Sequence, residues 1–175
     1  MISTRFANAN DLTDTKILRL MRLINEVYAD AESGMWKPSA KRVSKTEVED
    51  LLRKSMLILG EFDGEIVGSI KYQIINETTS EFGILVADRN YRGKGIGTVL
   101  VDAAEQKARS DNKKTMRLEL LTPRHWQHPS KEFLKGWYSR LGYEPSFSEP
   151  FEKTNPEKVD MLAAECDFTV WLKEL

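Results

Sequence analysis

This chain of 175 residues has only one cysteine and two histidines, and its net charge is close to zero. Its single cysteine, Cys166, excludes an internal disulfide and is typical of a reducing cytosol. Lysine and arginine total 26 against 27 acidic residues, so the chain lacks the basic excess of proteins that bind nucleic acid or membrane surfaces. No apolar run approaches the roughly 18 residues of a transmembrane helix, and no apolar signal segment opens the chain. We therefore expect a cytoplasmic protein with one domain over residues 1–175 and neither nucleic-acid nor membrane partners.

One short segment, Arg92–Gly97, is rich in glycine and carries two basic residues. A strand pattern from Glu81 to Asp88 precedes it, and an amphipathic helix pattern begins at its end. Apolar residues recur at the helical period at Ile96, Val99, Leu100, Ala103, Ala104 and Ala108. The start of a helix offers free backbone N–H groups and a positive dipole end, and glycine lets a phosphate approach the backbone. The segment therefore predicts a site for a pyrophosphate.

Three phosphate-binding patterns compete for this segment. A nucleotide P-loop requires a hydroxyl residue after its lysine, whereas Lys94 is followed by Gly95. The dinucleotide fingerprint G-x-G-x-x-G is not met either, because Gly93, Gly95 and Gly97 are evenly spaced. The pattern [Q/R]-x-x-G-x-[G/A] fits at Arg92, Gly95 and Gly97. In this respect the segment resembles the coenzyme A loop of the GNAT acyltransferase superfamily.

A second segment, Trp137–Tyr143, resembles the other signature of that family, an aromatic pair on a helix that ends in Leu-Gly-aromatic. Together the two matches span about residues 56–145. The resemblance implies an α/β fold with a central mixed, mostly antiparallel sheet flanked by helices, in the order β-α-α-β-β-β-α-β-α-β. Ala87 and Arg89 depart from the valine and proline that are usual in the family, at positions that need no side chain for chemistry.

The resemblance also implies roles for individual residues. Glu81 would act as the general base, since freeing a primary amine of pKa near 10.4 at pH 7 costs about 4.6 kcal/mol. Tyr138, four residues before Gly142, would act as the acid toward the departing thiolate. The backbone N–H groups of Leu85, Val86 and Ala87 would polarise the thioester carbonyl, on a strand that diverges from its neighbour to admit the pantetheine arm. The residues that would hold the cofactor's pyrophosphate are Arg92, Gly93, Lys94, Gly95, Ile96, Gly97 and Thr98.

Three further residues are candidates for binding. Lys131 stands seven residues before Tyr138, where the family often has a cofactor-contacting asparagine, so a phosphate contact and a solvated lysine are both open. Trp36 lies between the first two predicted helices, where the family builds its acceptor pocket, and either lines that pocket or covers the core. His125 is a candidate for the substrate wall or for a second base, with an ordinary surface loop as the alternative. His128 is the only other histidine; because no third ligand accompanies the pair, we predict no metal site.

Helix starts are predicted at Asn10 or Asp11, at the capping box Ser44–Glu47 and at Ser130. The last of these helices is expected to bury Phe133, Leu134, Trp137 and Leu141. Residues 144–165 have little regular pattern and are expected to be irregular. Their acidic residues predict either a solvated loop or an acidic flap that attracts a cationic amine.

The predicted function is an N-acetyltransferase that moves an acetyl group from acetyl-CoA to a primary amine by direct attack in a ternary complex. Cys166 is expected to be structural rather than a nucleophile, because Glu165 and Asp167 flank it. The acceptor is expected to be a small molecule, with a protein lysine or N-terminal amine as the alternative. A non-catalytic acyl-CoA-binding module, a nucleotide-binding domain and a homodimer also remain open.

Overall fold

Seven β-strands form one sheet in the computed structural model, which describes all residues from Met1 to Leu175. The strands are β1 (Ser3–Phe6), β2 (Leu57–Phe62), β3 (Glu65–Ile74), β4 (Thr79–Ala87), β5 (Thr115–Pro123), β6 (Glu144–Pro150) and β7 (Cys166–Glu174). Their spatial order is β1-β2-β3-β4-β5-β7-β6. Only β4 and β5 run parallel, and every other neighbouring pair is antiparallel. The predicted mixed, mostly antiparallel sheet is confirmed.

Helices cover both faces of this sheet. The α-helices are α1 (Asp14–Ala31), α2 (Lys45–Arg53), α3 (Ile96–Ser110), α4 (Pro129–Arg140) and the short α5 (Phe151–Thr154). Helices α1 and α2 cover one face, around a core that includes Leu20, Val48 and Leu59. Helices α3 and α4 cover the other face, around a core that includes Phe82 and Leu100. No helix combines the length and the apolar character that a membrane span requires.

The first two helices begin in different ways. The predicted capping box opens α2, where the Ser44 hydroxyl accepts from the N–H of Glu47 at 3.1 Å and the Glu47 carboxylate accepts from the N–H of Ser44 at 2.6 Å. The prediction that Asn10 or Asp11 caps α1 is wrong. Those residues belong to a separate 3-10 turn, and Thr13 caps α1 instead.

Helix α4 begins earlier than predicted, because His128 rather than Ser130 is its cap. The His128 Nδ1 atom accepts from the N–H of Ser130 at 3.2 Å, and Pro129 occupies the first helical position, where no N–H is needed. Helix α4 buries Lys131 and Tyr138, whereas Phe133 is 65% exposed, so the expected burial of Phe133 is wrong.

Residues 144–165 are more regular than predicted. Strand β6 pairs with β7 along the edge of the sheet, and α5 and a 3-10 turn at Pro156–Met161 follow it. Nearly every β6 side chain is exposed, so the strand carries no buried alternation that a sequence pattern could reveal.

The parallel pair β4–β5 separates after a few residues, as predicted. Thr79–Glu81 pair with Thr115–Arg117, and no pairing continues beyond them. Strand β5 instead follows β7 as far as Pro123. On the other side of β4 the register with β3 shifts, and Ile84 takes a left-handed φ of 48° there. Because of this separation, one edge of β4 is left without a partner strand.

Candidate active site

A cleft of about 1480 Å³ is lined by both strands of this gap, by the start of α3, by α4 and by the chain that follows α1. The cleft brings together most of the predicted site residues, namely Trp36, Glu81, Leu85, Ala87, Arg92, Gly93, Gly95, Ile96, Gly97, Thr98, Lys131 and Tyr138. Val86, Lys94 and His125 do not line it.

The start of α3 has no side-chain cap. Gly93 and Gly95 have left-handed φ angles of 79° and 70°, and a Cβ on either residue would meet no atom within 4 Å. The backbone N–H groups of residue 93 and of residues 95–98 donate to no acceptor within the chain. This group of unpaired donors, with open space in front of it, fits an anion that offers several oxygen atoms.

The two basic side chains of the loop behave differently. Arg92 is exposed, lines the cleft and has no carboxylate partner. The Lys94 ammonium lies 4.6 Å from the centroid of the Phe62 ring, a cation–π contact outside the cleft. The predicted contribution of the Lys94 side chain to phosphate binding is therefore not seen in this arrangement, whereas Arg92 is free to contribute.

The unpaired edge of β4 supplies main-chain donors to the gap. The N–H of Asp88 donates to a carbonyl of β3 at 2.8 Å, which marks the pair Ala87–Gly68 as non-hydrogen-bonded, so the N–H of Ala87 points away from β3. By the same alternation the N–H of Val86 points toward β3, and its side chain is buried in the core below α1 and α2. This orientation does not suit the predicted role of Val86 toward a bound carbonyl, whereas Leu85 and Ala87 line the cleft.

Glu81 lies where β4 and β5 part, and its carboxylate is fixed by two neighbours. One oxygen accepts from Arg117 Nε at 2.6 Å, and the other accepts from Gln73 Nε2 at 2.8 Å. Arg117 also pairs with Glu119. Each Glu81 oxygen keeps a further lone pair, so the carboxylate can still accept a proton or a hydrogen bond from the cleft.

Tyr138 faces the cleft from α4. Its side chain packs against Phe82, Trp137 and Tyr143, and the residue is only 6% exposed. The hydroxyl makes no hydrogen bond within the chain. Burial raises the pKa of the Tyr138 phenol, so the hydroxyl stays protonated at neutral pH and is available as a donor.

Lys131 is buried rather than solvated. Its ammonium donates to Glu32 at 2.7 Å, and the other oxygen of Glu32 accepts from Trp36 Nε1 at 2.6 Å. Lys131 and Glu32 are 3% and 6% exposed. This buried pair joins the end of α1 to the start of α4 and forms a wall of the cleft with Trp36.

The segment around His125 contributes little to the cleft. The His125 ring is exposed and pairs with Glu165 at 2.6 Å, which favours the surface-loop alternative. None of the acidic residues between 144 and 165 lines the cleft, which favours the solvated-loop alternative over the acidic flap. The residues of that stretch that do line it are Phe151, Asn155, Lys158 and Met161.

Sequence reasoning placed the segment 32–37 at the acceptor pocket but missed other polar residues on the cleft wall, among them Arg42, Lys71 and Gln73. Lys71 and Gln73 alternate with the apolar residues of β3, and this alternation was the one available signal. Nothing in the local sequence marks Glu32, because its partner Lys131 lies 99 residues away.

The cleft joins an anion-binding helix start to a split sheet, and this combination defines an acyltransferase of the coenzyme A-dependent class. The model of the acetyltransferase (GNAT) family matches residues 21–143, and the chain belongs to this family. The predicted family, fold and enzyme class are confirmed.

Solved structures share the fold at low sequence identity. One is a GNAT family acetyltransferase from Elizabethkingia anophelis with acetyl-CoA bound, at 19% identity over 99% of this chain and 98% of that one, with a TM-score of 0.66. Another is the PaiA N-acetyltransferase from Thermoplasma acidophilum with coenzyme A, at 16% identity over 100% and 99%, with a TM-score of 0.71. The N-acetylglutamate synthase from Neisseria gonorrhoeae matches at 16% identity over 100% of this chain and 35% of that one, with a TM-score of 0.66. The search of curated proteins finds no match.

Proposed function

We propose that this chain transfers an acetyl group from acetyl-CoA to the primary amine of a small molecule, in a ternary complex. The observation that carries the proposal is the row of unpaired N–H groups at residue 93 and residues 95–98, in the same cleft as Glu81 and Tyr138. Similar solved proteins carry acetyl-CoA or coenzyme A, which supports this donor.

The residues at the start of α3 fit the pyrophosphate of acetyl-CoA. Their free N–H groups and the dipole of α3 supply positive potential without a buried ion pair, and Arg92 adds a formal charge at the rim. The open edge of β4, with the N–H of Ala87 directed into the gap, fits the amide groups and carbonyl of an extended thioester arm. When bound, acetyl-CoA supplies the activated acyl group.

Glu81 and Tyr138 have complementary roles in this proposal. Glu81 accepts a proton from the acceptor ammonium, directly or through a water, so that the nitrogen lone pair can attack the acyl carbon. Tyr138 donates its hydroxyl proton toward the sulfur as the carbon–sulfur bond breaks. Because burial raises the pKa of Tyr138, its phenolate is unfavourable and recovers a proton readily.

Direct attack is favoured over an acyl-enzyme. The only thiol, Cys166, is fully buried, and burial raises its pKa to about 11. Such a thiol lacks the thiolate character that a covalent route requires.

We call the part of the cleft formed by β3, the chain after α1 and the 3-10 turn before β7 the acceptor half. It is enclosed in a way that suits a small molecule. The backbone of Trp36 forms an isolated antiparallel β-bridge with Leu162, and the N–H of Lys37 donates to the carbonyl of Met161 at 2.9 Å. These contacts join the chain after α1 to the 3-10 turn before β7 and close one side of the cleft. An extended polypeptide acceptor would have to pass this closure.

The test is release of free thiol from acetyl-CoA in the presence of a panel of primary amines. We expect release with some amines, and a loss of about 100-fold in kcat for Tyr138→Phe with little change in the affinity for coenzyme A. Binding of acetyl-CoA without release with any amine would contradict the proposal and identify a non-catalytic acyl-CoA-binding module. Acetylation restricted to protein lysines or N-termini would agree with acetyl transfer to an amine but would contradict the proposal that the acceptor is a small molecule.

A further inference from the structure

Every carboxylate that lines the cleft is already engaged. Those that pair with an arginine or a lysine are Asp30, Glu32, Asp50, Glu81, Asp88 and Glu119. Glu47 completes the capping box of α2. The cleft therefore offers a cationic ligand no unpaired acidic group.

The basic side chains in the acceptor half of the cleft, in contrast, have no carboxylate partner. Lys37, Lys41, Arg42, Lys71 and Lys158 all line the cleft, and none of them forms a salt bridge with a carboxylate of the chain; Arg42 instead contacts Tyr28. Unpaired positive charge therefore surrounds the place where the acceptor must bind, although the whole chain has a net charge of −1.

Lys71 occupies the most informative position among these cations. Its neighbours Ile70 and Tyr72 enter the core below α3, so Lys71 points to the opposite face, as Gln73 and Glu81 do. Directly across the strand pair lies Gly83, where a Cβ would meet no atom within 4 Å. An open space therefore adjoins Lys71, two residue pairs along the strands from Glu81 and on the same face of the sheet.

Arg42 lines the same cleft, and its charge acts on Lys71. Its guanidinium lies 5.1 Å from the centroid of the Tyr28 ring, on the cleft wall. Burial lowers the pKa of the Lys71 ammonium, and although the nearby Glu81 carboxylate raises it, the positive charges of Arg42 and Lys54 also lower it, so the net shift is downward. Two cations near each other, one of them half-buried, gain the most when a ligand brings an anion.

The cofactor does not account for these charges. Its proposed pyrophosphate site has its own main-chain donors and Arg92, at the start of α3. Lys71 lies on the face of the sheet covered by α1 and α2, whereas α3 and α4 cover the other face. The anion that pairs with Lys71 and Arg42 therefore belongs to the acceptor.

We infer that the acceptor is a small amine that also carries a carboxylate, of the amino acid type, with Lys71 and Arg42 as its carboxylate ligands. Its amine lies over Gly83, beside Glu81. This inference rests on the proposed function and narrows its substrate class. An acceptor with a carboxylate differs from the purely cationic amine that an acidic flap at residues 144–165 would attract.

The test compares the twenty L-amino acids with their carboxamides and with spermidine as acceptors, by thiol release from acetyl-CoA. The carboxamide keeps the side chain and removes the negative charge; it also lowers the pKa of the amine, which by itself favours the carboxamide, so a preference for the free amino acid must come from its carboxylate. We expect kcat/KM for the best amino acid to exceed that for its carboxamide by about tenfold or more, as expected for hydrogen bonds to a charged group. Lys71→Met and Arg42→Leu should each reduce this ratio toward one. Arg42 is exposed, so its replacement removes one surface contact with Tyr28 and should leave the fold intact, which circular dichroism checks.

Lys114→Met is the matched control, because Lys114 is exposed and lies outside the cleft; it should keep the wild-type ratio. Preference for spermidine or for carboxamides, or a ratio that Lys71→Met and Arg42→Leu leave unchanged, overturns the inference while the acetyltransferase function stands. Absence of thiol release with every amine, despite acetyl-CoA binding, overturns the function itself and the inference with it.

Discussion

The two halves of the cleft are built from different parts of the chain. The half proposed for the cofactor is made of main-chain groups, namely the uncapped start of α3 and the unpaired edge of β4. The acceptor half is made of side chains from β3, from the chain after α1 and from the 3-10 turn before β7, with Lys71, Arg42 and Lys158 among them. Main-chain donors persist through side-chain substitution, whereas a site of side chains changes with every replacement. The same fold can therefore keep one donor and change its acceptor.

The largest loss of activity is expected at Glu81, because its proposed role is proton transfer rather than the binding of either ligand. Glu81→Gln keeps the shape and the contact with Gln73 but removes the base, so kcat should fall by about 100-fold or more. Steady-state kinetics with a saturating acceptor measures this change. Glu119→Gln is the matched control, because Glu119 lines the same cleft and also pairs with Arg117. Equal losses in the two variants would mean that Arg117 pairing, and not proton transfer, explains the effect.

The next largest effect is expected at Lys131, whose replacement should change stability but not the binding of coenzyme A. Lys131→Met leaves the buried Glu32 carboxylate without its cation, which should lower the free energy of unfolding by about 3–5 kcal/mol. Urea unfolding measures this loss, and the double variant Glu32→Gln/Lys131→Met should recover most of it. Coenzyme A affinity, measured where the variant is folded, should not change. Weaker coenzyme A binding with unaltered stability would instead support the phosphate contact that the sequence left open.

The sequence predicted the parts of the site that depend on local pattern. Gly93, Gly95 and the apolar repeat of α3 lie within a short stretch, so the loop, the helix and the anion site could be predicted together. Strand β6 escaped prediction because an exposed edge strand that starts near Pro145 and ends at Pro150 shows no buried alternation. The cap of α4 escaped because histidine is not among the residues that commonly cap helices.

The acceptor half could not be predicted for a physical reason. Its contacts join residues far apart in the chain, such as Lys131 with Glu32 and Trp36 with Leu162. A charged residue in a sequence carries no sign of whether folding will pair it. Lys71 forms no salt bridge because Arg117, which lies far along the chain on β5, pairs with both Glu81 and Glu119.

A smaller effect should come from Gly95, in the half made of main chain. Gly95→Ala must either hold a left-handed φ with a Cβ, at a cost of about 1–2 kcal/mol, or relax and turn the unpaired N–H groups away from the ligand. We expect the affinity for coenzyme A, measured by calorimetry, to fall by about tenfold. Gly64→Ala is the matched control, since Gly64 has a φ of 82° and equally open surroundings but lies in the β2–β3 turn. It should lose similar stability and keep its affinity; equal affinity losses would refute the main-chain site.

The smallest effect should come from Cys166, which lies beneath the acceptor half with Met35, Leu121 and Phe151. Burial raises its pKa to about 11, so only about one thiol in a thousand is ionised at pH 8. Cys166→Ala should therefore leave kcat within about twofold, and radiolabelled acetyl-CoA without an amine should leave no label on the denatured protein. A labelled Cys166, or a large loss of kcat, would show that the acceptor half takes part in bond making. Unchanged turnover instead means that no covalent intermediate forms on Cys166 and that the acyl group passes directly between two bound ligands.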